Sequence, residues 1–145
     1  MNTTTLAMFL TIIAGVAVAF QATFNNILSK HIGVWTANSV VHGTGFLVAV
    51  AVTLVLGKNQ IFAIGGAPWY SLLGGALGVG IIASVIFAIG KLNIGLVFTL
   101  LMVAQIISAA LIDHYGWLGG PVIMLDYKKV LGICLLVVGA ILMKK

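Results

Sequence analysis

Residues Gly15 to Lys30 read GVAVAFQATFNNILSK, a stretch inside a long apolar segment that still carries Gln21, Asn25 and Asn26. Lipid favours hydrocarbon at such positions. On a helix advancing about 100° per residue, Gln21 and Asn25 stack on one face, with Ala14 and Ala17 beneath them. Roughly opposite runs a row of small residues: Thr11, Gly15, Ala19 and Thr23. A helix with amides on one side and small residues on the other touches protein on both sides. Asn26 stays unplaced.

Working outward, the composition sets the class. The chain has 145 residues, 62% hydrophobic and 6% charged, with a mean hydropathy of +1.26. So few charges cannot keep a soluble domain dispersed. Several separated apolar runs of about 20 residues read instead as membrane-spanning helices. Seven lysines face two aspartates, with no arginine and no glutamate, for a net +5. A nucleic-acid binder concentrates its basic residues on one element. These lysines are scattered between apolar runs, as interfacial anchors are, so lipid is the expected partner and nucleic acid is not. The single cysteine, Cys134, has no intrachain partner and reads as a small apolar residue. The opening MNTTT lacks the basic region of a signal peptide, and the apolar stretch after it is too long for one. It is expected to lead into a retained first span.

Five spans are expected, at 6–28, 34–56, 69–89, 93–112 and 128–143, forming a single transmembrane domain. Ser29 to Gly33 and Gly57 to Gln60 read as polar turns, and IFAIGGAP as a loop leading to Pro68 and Trp69, a suitable helix start. The last span is the shortest; four spans plus a partly inserted segment is the alternative. Gly15, Gly74, Gly75 and Gly78 read as helix-packing positions, Gly74 and Gly78 forming a GxxxG pair that lets backbones approach closely.

The lysine tally bears on topology. With five spans, one side of the membrane receives Lys58, Lys128 and Lys129, and the other Lys30, Lys91, Lys144 and Lys145. Lysine excess on the cytoplasmic side normally sets orientation, and three against four sets almost none. The expected fold is therefore an all-α integral membrane protein inserted in both orientations and paired as an antiparallel homodimer. Such a pair reproduces from one chain the inverted-repeat symmetry of many transporters.

Polar groups inside a span are costly unless paired, so each is a candidate site. Gln21 and Asn25 are joined by Gln105 in the fourth span, and by Asn38 and His42, four apart in the second. Two readings stand. These side chains are interhelical glue, worth about 0.6 to 2 kcal/mol each, or they line a shared substrate pocket near the midplane. His42 is the one span residue of a type that titrates near neutral pH, and Asp113 follows the fourth span; both are candidates for proton coupling against a purely structural role. No nucleophile–base–orienter set, metal-ligand cluster or phosphate loop is visible, so neither enzymatic activity nor a metal or cofactor is expected.

Three strings, Gly15 through Gln21 to Asn25, Pro68-Trp69 to Gly78, and AQIISAALIDHYGWLG from Ala104 to Gly119, resemble the YdcZ family. These are short bacterial membrane proteins of the drug/metabolite transporter superfamily. The resemblance implies a multi-pass protein of the bacterial inner membrane, with a five-helix protomer related to the four-helix small multidrug-resistance proteins and working as an antiparallel pair. Those relatives couple cation export to protons through a carboxylate in the first span. This chain has none there, and Gln21 cannot exchange a proton, so that mechanism does not carry over. The expected function is transport of a small polar, zwitterionic or weakly hydrophobic solute by alternating access. The alternatives are a passive channel of dual topology and a non-transporting membrane subunit.

Overall fold

The structure is a computed structural model that describes residues 2–56 and 61–143, with backbone alone for 61–63. Lys58, Lys144 and Lys145 of the charge tally, and the 57–60 turn, lie outside the described residues. Among those described, the fold is helical throughout, with five α-helices: α1 Thr3–Ile32, α2 Val34–Leu56, α3 Gly74–Ile89, α4 Ile94–Tyr115 and α5 Tyr127–Leu142. Four helical stretches are long and apolar enough to cross a membrane: α1, α2, Trp69–Ile89 and α4. At about 1.5 Å per residue, the 16 residues of α5 reach roughly 24 Å, short of a hydrocarbon core of about 30 Å.

Large apolar side chains cover the outside: Leu54, Val55 and Leu142 are each more than three-quarters exposed. The buried core is small, made of Ala22, Ala37 and Ile86 in the first three helices and Leu96, Val97 and Ala140 in the last two. That inversion suits lipid as the solvent. Four threonine hydroxyls on the helices are satisfied locally. Thr11, Thr23, Thr53 and Thr99 each donate to the carbonyl four residues back, at 2.8 to 2.9 Å, so they tolerate an apolar surround.

The chain divides into two compact units, one ending at Gly90 and the other beginning at Lys91. In the first, α1, α2 and α3 pack against one another. Asn2 caps α1, its Oδ1 accepting from the Thr5 amide at 2.7 Å. The helix then runs on through Ser29, Lys30 and His31, which the sequence reading assigned to a turn. Only Gly33 breaks it, at φ +80°, a conformation open to a residue without Cβ. One residue thus joins α1 to α2. The expected IFAIGGAP loop contains a 3₁₀ helix, Ile61–Gly66, and the expected helix start at Trp69 is a 3₁₀ turn, Trp69–Leu73, that becomes α-helical at Gly74.

In the second unit α4 and α5 pack as an antiparallel hairpin: the start of α4 meets the end of α5, where Thr99 Oγ1 lies 3.3 Å from Met143 Sδ. Asn93 caps α4 by accepting from the Leu96 amide at 2.8 Å, and Asp126 caps α5 by accepting from the Lys129 amide at 2.8 Å. α4 ends at Gly116 in the left-handed conformation (φ +61°), where a Cβ would also meet Val122 Cγ2 at 2.7 Å. Glycine is required there twice over.

Candidate functional site

An amide cannot satisfy itself on its own helix as a threonine does, so each one needs a partner. Asn38, on the first turns of α2, is 2% exposed. Its Nδ2 donates to the backbone carbonyl of Val79 in α3 at 2.8 Å. Its Oδ1 is buried and has no hydrogen-bond partner among the described residues. A buried acceptor left unpaired costs about 1 to 3 kcal/mol, which marks it as a group retained for a reason other than packing.

His42 lies one turn along α2, with Nδ1 3.0 Å from the Asn38 backbone carbonyl oxygen. Its Nε2 faces α3 at Gly78, 3.4 Å from where a Cβ would stand. Gly78 thereby makes room for the ring. Asn38 and His42 share a pocket of about 280 Å³ with Trp35, Ser39 and Val79. Residues 35, 38, 39 and 42 fall at i, i+3, i+4 and i+7, one face of a helix. That spacing is visible in the sequence. The Val79 carbonyl has no sequence signal at all.

The other candidates are placed differently. On α1, Asn25 is buried and Gln21 exposed, although they stand one turn apart. Gln105 is exposed on α4, in the second unit. Among the described residues, nothing stands within 4 Å of the Cβ positions of Gly15, Gly74 and Gly75, so of the expected packing glycines Gly78 alone meets a neighbour there. Cys134 is exposed on α5. No three His, Cys, Asp or Glu side chains are grouped for a metal ion among the described residues.

Asp113 is exposed in the last turn of α4, and its side chain lines a groove of about 330 Å³ with Lys129 and apolar residues of α4 and α5. Its backbone carbonyl accepts from the Ile123 amide at 2.8 Å, and His114 Nδ1 accepts from the Leu125 amide at 3.3 Å. These bonds fold the 116–126 connection back onto the helix end. Tyr115 and Trp117 stack beside it, centroids 5.4 Å apart.

No curated protein and no solved structure matches the chain. The family model for DMT_YdcZ, described as "Putative inner membrane exporter, YdcZ", matches residues 6–142. With four helical stretches apolar and long enough to cross a membrane within that match, and polar side chains held between two helices, the chain belongs to this family of multi-pass inner-membrane transport proteins.

Proposed function

We propose that the protein moves a small polar, zwitterionic or weakly hydrophobic solute across the inner membrane by alternating access, as an antiparallel homodimer. Asn38 carries the reading. A buried amide spends one end holding α2 to α3 and leaves the other unpaired beside a pocket, an arrangement suited to solute binding and poor as glue. His42 completes the polar wall. The family's description as an exporter supports outward movement.

The antiparallel pair depends on α5 crossing the bilayer. Local thinning and snorkelling of Lys128 and Lys129 at one end, and Lys144 and Lys145 at the other, would make up its shortfall in length. If α5 instead lay at the surface, those four lysines would join Lys58, and five against two would fix one orientation. The open small-residue positions at Gly15, Gly74 and Gly75 suit contact with a second copy.

Proteoliposomes shrunk by a gradient of malonamide, glycine or butyramide test the transport reading through their rate of reswelling. Saturable flux of at least one solute, lost in Asn38→Leu, is expected. Flux no faster than in protein-free vesicles for all three, or equal flux in the variant, overturns it. Adding three arginines to one tail should lock orientation and abolish that flux; full flux from the locked protein alone contradicts the antiparallel pair.

A further inference from the structure

We infer that the pocket between α2 and α3 selects an uncharged solute through its N–H donors, as a primary carboxamide or urea-like group presents them. The inference rests on the transport reading and narrows its substrate class. It follows from counting what each polar atom of the pocket has left to offer.

The amide orientation of Asn38 is fixed by chemistry, because a carbonyl such as that of Val79 only accepts. Nδ2 must face it, and Oδ1 is then the unpaired end. His42 Nδ1 faces the Asn38 carbonyl oxygen, so in the neutral ring Nδ1 carries the proton and Nε2 offers a lone pair. Ser39 Oγ donates to the Trp35 carbonyl at 3.1 Å, and its remaining capacity is also lone pairs. The capacity left on all three side chains is therefore for accepting, with Asn38 Oδ1 covered as the helices stand, and donors are its complement.

Charge narrows the choice further. A cation would match acceptors too, but residues 1–90, which hold the pocket, contain no Asp or Glu. A cation drawn from water into an apolar surround without a counter-charge is strongly disfavoured. A neutral N–H donor avoids that penalty. A volume of about 280 Å³ accommodates a molecule the size of malonamide, and the Trp35 indole offers a flat wall for a planar amide. Oδ1 is closed off in this conformation. Engaging it requires α2 and α3 to part slightly, at a contact flanked by Gly78 and Gly80.

The test is binding to the full chain in nanodiscs, with Trp69→Phe and Trp117→Phe leaving Trp35 as the sole tryptophan reporter. Malonamide is titrated beside N,N,N′,N′-tetramethylmalonamide, which keeps the carbonyls and lacks N–H, and glycinamide, which adds a positive charge. Malonamide should shift the Trp35 emission saturably, with the tetramethyl compound about tenfold weaker or silent, as loss of a hydrogen bond to a buried acceptor implies. Glycinamide should bind no better than malonamide. Asn38→Leu should weaken malonamide about tenfold. His42→Phe, which leaves the Asn38–Val79 bond in place, should narrow the gap between malonamide and its tetramethyl analogue. Equal binding of those two, tighter binding of glycinamide, or no saturable shift with malonamide overturns the inference. Saturable glycine flux without malonamide binding overturns it while leaving transport standing. Malonamide binding without any flux upholds it and removes the transport reading instead.

Discussion

The two units share helix-capping side chains, Asn2 in the first, and differ in what else their polar groups do. In the second, Asn93 and Asp126 sit at helix starts, and His114 at a helix end, each accepting a backbone amide. Both carboxylates of the chain, Asp113 and Asp126, lie in this unit. In the first, Asn38 reaches across from one helix to another and keeps an acceptor unpaired. Polar groups that close helix ends serve folding. A polar group held between helices with capacity to spare is the one the proposed recognition uses. Both carboxylates thus lie in the same unit as these capping groups, and the proposed pocket lies in the unit without a carboxylate.

The comparison can be broken by substitutions that should act on one property alone. The largest effect on stability is expected from Gly116→Val, which forces a side chain into the left-handed region and against Val122 and the Gly120 carbonyl. A loss of about 3 kcal/mol should appear in thermal unfolding in detergent. Next, Asn38→Leu should reduce flux about tenfold while its melting temperature stays level or rises, since removing an unpaired buried polar group relieves its penalty. A fall in both together would recast Asn38 as glue. Asp126→Ala removes the cap of α5 and should lower stability by about 1 kcal/mol, with solute affinity unchanged in the Trp35 titration. The smallest effect belongs to Asp113→Asn. The backbone carbonyl of that residue makes the folding contact, so stability and flux should both match the parent protein.

The helices were legible because apolar runs of membrane length have few other uses, and the Asn38–His42 spacing was legible because both fall on one helical face. The ends were harder. Ser29-Lys30-His31 reads as a turn by polarity, yet a backbone continues as helix through polar residues until something stops it, and here that is Gly33 at positive φ. The start of α5 at Tyr127 turned on the Asp126 cap rather than on hydropathy. The equal standing given to Gln21 and Asn25 reflected helical geometry alone; the neighbouring helices bury one and leave the other exposed. Whether an amide is glue or a binding group depends on its second hydrogen-bonding end. That is a matter of distances, and no sequence pattern carries it.

The central claim is that recognition resides in the carboxylate-free unit, and flux through Asn38→Leu and Asp113→Asn proteoliposomes, measured side by side under a malonamide gradient, tests it most directly. A drop of about tenfold in the first and parent-level flux in the second is the predicted result. Parent-level flux in Asn38→Leu with loss in Asp113→Asn would contradict it and move the site to the α4–α5 groove.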